Sequence, residues 1–139
     1  MSRRAIARVR AFEARSLERE QVPITTHHLI HAGMYARTIT IPAGVALTGA
    51  LIRLATTLIV SGDVIVTIGE HVRRLTGYHV LPASAGRKQA FLALADTHMT
   101  MLFPTASKDV AGIEDEFTEE AGLLFSRQRE NVVNITGES

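Results

Sequence analysis

The chain contains no cysteine and no tryptophan, and only 5% of its residues are aromatic. Without thiols there are no disulfides, zinc–thiolate sites, iron–sulfur clusters or cysteine nucleophiles, so the fold stands on apolar packing alone. Long apolar runs are missing as well: none approaches the roughly 18–20 residues that cross a bilayer as a helix. The opening "MSRRAIARVRAFEARSLERE" lacks the apolar stretch of a secretory signal. A soluble protein made in the cytoplasm, with no membrane partner, is the expectation. What is present, 46% hydrophobic residues over 139 positions, suffices to bury one sizeable core.

The net charge of +1 hides an uneven distribution. Residues 1–20 carry six Arg against three Glu, whereas residues 108–120 carry one Lys against six acids. Opposite ends of this kind can hold the tails against each other or against neighbouring copies, and they argue against a uniform nucleic-acid-binding face.

Periodicity divides the chain into three zones: a helical arm over 1–22, a β-rich region over 23–105 and an acidic helical segment with a tail over 106–139. The arm has no Gly or Pro before Pro23 and spaces Ile6, Val9 and Leu17 among charges. In the middle zone, β-branched runs alternate with the turn signals "HAG", "IPAG", "LTG", "SGD", "IGE", "LTGY" and "PASAG", which leaves room for about eight short strands. Tyr35, Arg37, Ile39 and Ile41 share one face of a strand, and Leu58 and Val60 share the core face of another. Ser61-Gly62-Asp63 reads as a compact turn pairing "LATTLIV" with "DVIVTI" as a hairpin. Pro82 marks a strand end or edge. Many short strands without interleaved helices predict a mainly β sandwich or barrel. The acidic segment starts at Ser107 or Lys108-Asp109, with Ile113, Phe117, Leu123, Leu124 and Phe125 as its apolar positions, and breaks near Gly112 or Gly122. "NVVNITGES" is expected to be loose unless a partner orders it.

Two stretches, "IPAGVALTGALIRLATTLIVSGD" and "GYHVLPASAGRKQAFLALADT", resemble the paired motifs of the cupin family of jelly-roll barrels over roughly residues 35–103. In metal-binding cupins those motifs supply three His and an acid. Counted from the shared glycines, the corresponding positions here are Ala50, Ile52, Ala55 and Gln89, so the resemblance implies a barrel without a metal or other cofactor. A register shifted by one residue offers Leu51, Arg53, Thr56 or Lys88, which restores no site. Read as a whole, "HHLIHAGMYARTITIPAGVALTGALIRLATTLIVSGDVIVTIGEHVRRLTGYHVLPASAGRKQAF" resembles the cupin-like virion proteins of tailed bacteriophages, some of which are capsid cement or decoration proteins. That kinship implies a non-enzymatic homodimer on the outer capsid surface that clamps subunits of the major capsid protein. The alternative is a small-molecule cupin, either a metal-dependent enzyme or a sensor domain.

Other residues invite chemistry less well. His27 and His31 would share a strand face but lie too far apart along it for one ion without a bend, so His27, His28 and His31 read as surface or interface histidines, with pH-sensitive contact as a further possibility. Asp96 and His98 lack a serine in a nucleophile setting, and Glu70-His71 reads as loop polarity. A nucleic-acid role for Arg3, Arg4, Arg8, Arg10 and Arg15 is the weaker reading, since they fall around a helix and Glu13, Glu18 and Glu20 dilute their field. With Asp115, Glu116, Glu119 and Glu120 they form the candidate assembly interface, and the two flanks are expected to serve assembly and not the stability of the barrel.

Overall fold

A computed structural model describes residues 2–16, 23–68, 70–124, 126 and 131–136, excluding the side chains of 8, 11–16, 68 and 123. Among the described residues are the helices α1 (Arg3–Ser16) and α2 (Val110–Phe117) and eight strands. These are β1 (Thr26–His31), β2 (Met34–Ile41), β3 (Ala46–Thr48), β4 (Thr56–Ile68), β5 (His71–Ala83), β6 (Ala90–Ala93), β7 (Thr97–Pro104) and β8 (Asn131–Ile135). The order β3-β6-β4-β7-β2-β1-β8, with β5 added on β4, makes one curled, mixed sheet that forms a half-barrel.

The curl follows from β4. One edge of this strand pairs with β5 along its whole length, from Thr56↔Ala83 to Ile68↔His71. Its other edge is divided, with Thr57 to Ser61 against β7 and Val64 to Val66 against β6. Gly62 lies at the division, with φ +150°, and the chain passing from β6 to β7 crosses directly over it. A Cβ there would lie 2.6 Å from Thr97 Oγ1 and 2.7 Å from Thr97 Cα. The Thr97 hydroxyl accepts from Asp63 N at 3.2 Å and sits 3.1 Å from Asp63 O and 2.9 Å from Ala95 O, which share its proton. Opposite Gly62 in the register is Gly77, at φ +83°.

This corrects the turn expected at Ser61-Gly62-Asp63. The two runs expected to pair with each other are halves of one 13-residue strand, and "LTGY" likewise lies inside β5. The glycines do mark special backbone, but they bend a continuous hairpin across both halves of the sheet instead of reversing it. "HAG" is a true reversal: Ala32 (φ 50°) and Gly33 (φ 74°) form the two-residue link between β1 and β2.

Two apolar clusters fill the concave side. Val60, Val64, Val66, Leu75, Ile41 and Met99 lie between the two halves of the sheet, with Leu58 packed against them, so Leu58 and Val60 point inward as the alternation predicts. The second cluster joins Tyr35, Met101 and Phe103 of β2 and β7 to Ile113 and Phe117 of α2 and to Leu124. The Tyr35 and Phe103 rings meet edge to face at 5.4 Å, as do those of Phe103 and Phe117 at 5.9 Å. Asp109 caps α2 by accepting from Ala111 N at 2.9 Å, and the helix runs through Gly112 without breaking. Since Ile113 and Phe117 are fully buried, the acidic segment is part of the core and not a flank detached from stability. The arm also contributes buried side chains, Ala5 and Val9, near β3. The tail expected to be loose supplies β8, which pairs parallel to β1. Leu17 and Phe125 lie outside the described residues.

Gly62→Ala forces both an unfavourable φ and a collision with the β6–β7 backbone, and each of these costs about 1–3 kcal/mol. The expected outcome in denaturant unfolding is a loss of about 2–5 kcal/mol, whereas Gly44→Ala, strained in φ but with open space around it, loses less.

Candidate functional site

The concave side retains a cavity of about 320 Å³ between the two halves of the sheet. Its walls are mainly apolar, from Leu58, Val60 and Val66 of β4, Leu75 of β5 and Phe91 of β6, and its polar lining comes from Ser84, Arg87 and Gln89. Strand alternation explains the walls, because residues i and i+2 of β4 share the inner face. The polar groups arrive on the irregular stretch between β5 and β6, which meets the segment before β4 at the bridge Ile52↔Arg87.

Of the four positions matched to cupin metal ligands, only Gln89 lines this cavity, and its Nε2 donates to Thr67 O at 3.1 Å. Ala50 and Ile52 pack instead against the cluster around Tyr35, and Ala55 is exposed. The count from Gly44 assumed a continuous strand, but residues 49–55 are not strand and β4 begins only at Thr56, so the inward alternation does not carry through them. Among the described residues no group of three or more His, Asp or Glu is placed to hold a metal ion. The set lining the cavity, aliphatic groups with one guanidinium, one amide and one hydroxyl, does not fit a divalent cation.

Arg87 is only 6% exposed. It donates from Nη1 to Leu54 O at 3.1 Å and Ser84 O at 2.9 Å, and from Nη2 to Thr56 Oγ1 at 2.8 Å and the Met101 sulfur at 3.5 Å. Burial lowers its pKa to about 10. Its neighbour Lys88 is fully buried and ion-paired, with Nζ 3.0 Å from Glu120 and 3.0 Å from Gly49 O. Glu120 also accepts from Arg10 at 2.6 Å and from Leu51 N at 3.1 Å. Burial alone would raise the pKa of this carboxyl, but the hydrogen bonds from Lys88, Leu51 and Arg10 hold it below the usual value.

The candidate assembly residues therefore separate. Arg10 and Glu120 join the helical arm to the C-terminal segment within one chain. Asp115, Glu116 and Glu119 are exposed and gather around Arg53, which donates to the Asp115 carbonyl, to Glu116 O at 3.0 Å and to the Glu119 carboxylate at 3.2 Å. Arg53 thus caps the C-terminal carbonyls of α2, where a cation is favourable. Arg3 and Arg4 are exposed on the first turn of α1, and the side chains of Arg8 and Arg15 lie outside the described residues.

The histidines also divide. His27 and His31 are exposed, whereas His28 is 2% exposed and belongs to a network that the sequence did not disclose. Its Nδ1 lies 2.7 Å from the Tyr35 hydroxyl and its Nε2 2.6 Å from Asn131 Oδ1. Arg37 reaches the same hydroxyl at 3.3 Å, Glu114 at 3.1 Å and Ser126 at 3.1 Å, and it stacks over Phe117. Ser126 donates in turn to Glu114, and Asn131 donates to the Ser126 carbonyl. This network fastens β8 and the C-terminal segment to β1 and β2. Asp96 and His98 do not meet: Asp96 accepts from Ala43 N at 2.9 Å, and His98 pairs across to the Thr40 hydroxyl at 2.9 Å. Glu70 and His71 are exposed at the β4–β5 reversal.

No family model and no curated protein matches the chain. Among solved structures it is similar to the cupin domain of Cnp3 from Schizosaccharomyces pombe, at TM-score 0.49 and 15% identity over 69% of this chain and 72% of that one. It is also similar to an RmlC-like cupin with a double-stranded β-helix fold from Methanocaldococcus jannaschii, at TM-score 0.49 and 10% identity, over 63% and 85% of the two chains. Ectoine synthase from P. lautus gives TM-score 0.47 and 18% identity over 66% and 70%. Likeness at this level carries no argument about ligand or reaction.

The pKa of His28 is lowered chiefly by burial, with Arg37 adding to the effect. A histidine with a depressed folded-state pKa favours the neutral form, so its contribution is complete above the unfolded value near 6.5 and is lost as pH falls below it. The thermal midpoint of the intact chain should therefore fall further between pH 7 and pH 5 than that of His28→Gln. Parallel curves for the two proteins would remove His28 as the cause.

Proposed function

We propose that this chain is a non-enzymatic assembly protein that works as a homodimer, as cement on the outer surface of a phage capsid, binding the major capsid protein. The observation that carries the reading is β5. Among the described residues this 13-residue strand pairs only with β4, so its other edge is open, and Val72, Tyr78 and Val80 stand 57–69% exposed along it. A long edge with apolar residues recruits another strand unless something blocks it. β5 is suited to its own symmetry mate. Antiparallel pairing centred near Tyr78 and Val80 brings the apolar halves together and sends Arg73 and Arg74 to opposite ends, where like charges stay apart. Arg74 is moreover held by Asp63, at 2.9 and 2.7 Å. Two half-barrels joined in this way present paired surfaces to neighbouring shell subunits, and repeated over a lattice, modest contacts sum to strong attachment.

Tyr78→Lys with Val80→Lys should leave the fold intact, since both side chains face solvent, while reducing the sedimentation mass from dimer to monomer. The double variant should also fail to co-sediment with shells assembled from the major capsid protein of the same genome. A wild-type monomer that ignores such shells would overturn the reading in favour of a small-molecule cupin.

A further inference from the structure

The remaining feature that assembly does not use is the cavity and the cation in its wall. Every other well-buried cation described here has a carboxylate: Arg37 has Glu114, and Lys88 has Glu120. Arg87 has none among the described residues, where its acceptors are two carbonyls, a hydroxyl and a thioether. A buried cation facing only neutral acceptors is costly to keep. The 3.5 Å contact to the Met101 sulfur is a weak hydrogen bond that a carboxylate oxygen would improve on. Around this group the lining is aliphatic and aromatic, with Leu58, Val60, Val66, Leu75 and Phe91. A single fixed cation in an apolar chamber is the complement of a molecule with one anionic head and an apolar body.

We infer that the cavity is a metal-free binding site for a medium-chain or aromatic monocarboxylate, with the carboxylate held by Arg87 and the apolar body lying against β4, β5 and β6. Volume sets the size of the ligand. The cavity of about 320 Å³ equals about ten water volumes at ~30 Å³ each, which suits a ligand of about ten non-hydrogen atoms such as octanoate. Longer amphiphiles would have to leave part of the chain in solvent. Gln89 and Ser84 offer further polar contacts beside the head group. The inference does not depend on the β5 edge, so it stands or falls separately from the assembly role.

The test is calorimetric titration of the full chain with octanoate, 1-octanol and octylammonium, at constant ionic strength and pH 7. Octanoate should bind saturably at least tenfold more tightly than octanol, and octylammonium should not bind. Arg87→Met, which removes the charge but keeps an apolar stem, should bring octanoate down to the level of octanol. Should that variant fail to fold, Val66→Phe keeps Arg87 and fills the chamber, and it should abolish octanoate binding. Equal binding of octanoate and octanol to the wild type, no binding of octanoate up to millimolar concentration, or undiminished binding to Val66→Phe would each overturn the inference.

Discussion

The half-barrel depends on the approach of the β6–β7 crossing to Gly62. At that point β4 gives up β7 as its neighbour and takes β6, and the absence of a side chain lets the Thr97 backbone lie where a Cβ would be. The Thr97 hydroxyl then satisfies the Asp63 amide that the ladder leaves open. Because β4 continues through this corner, β5 continues beside it, and the two long strands belong to both halves of the sheet at once. The curl, and with it the cavity between the two halves of the sheet, follows from that close contact.

The concave surface so formed is closed in two different ways. At one end α2 and the residues after it lay Ile113, Phe117 and Leu124 against Tyr35 and Phe103, and the buried network of His28, Arg37 and Glu114 ties that end to β8. Elsewhere the chamber remains open and lined by aliphatic groups, with Arg87 set in its wall. The polar residues of the C-terminal segment are thus largely turned to internal use. Glu120 holds Lys88 and Arg10, and losing one partner of such a buried pair typically costs about 3–5 kcal/mol. The surface left for partners includes the β5 side, the end strand β8 with Val132, Val133 and Ile135 exposed, and the acids around Arg53.

Much of this was legible in the residues. Alternation locates β2 and the inward face of Leu58 and Val60, "HAG" signals the first reversal, and Lys108-Asp109, one of two starts that the sequence offers for α2, contains its cap. What misled was glycine, which signals unusual φ but not whether the chain reverses. At Gly62 that depends on Thr97, which arrives from 35 positions along the chain. Ala50 and Ile52 match cupin ligand positions only by a count from Gly44 that runs through a stretch that is not strand. The burial of Arg87 and Lys88 had no local signal, because the groups that accept their hydrogen bonds come from distant segments. β8 was missed because its five residues are all exposed and its pairing with β1 is parallel, a contact that no short-range pattern announces.

The central claim is that β5 presents an open edge that a second copy covers. Residue-resolved amide hydrogen exchange of the labelled chain, at low and high protein concentration, tests it most directly. Half of the β5 amides, alternating along the strand, donate to β4 and should exchange slowly at both concentrations. The other half should exchange fast in dilute solution and become protected, from about Gly77 to Val80 first, as concentration rises. Outward-facing β5 amides that stay fast at every concentration, while those toward β4 stay slow, would contradict the account.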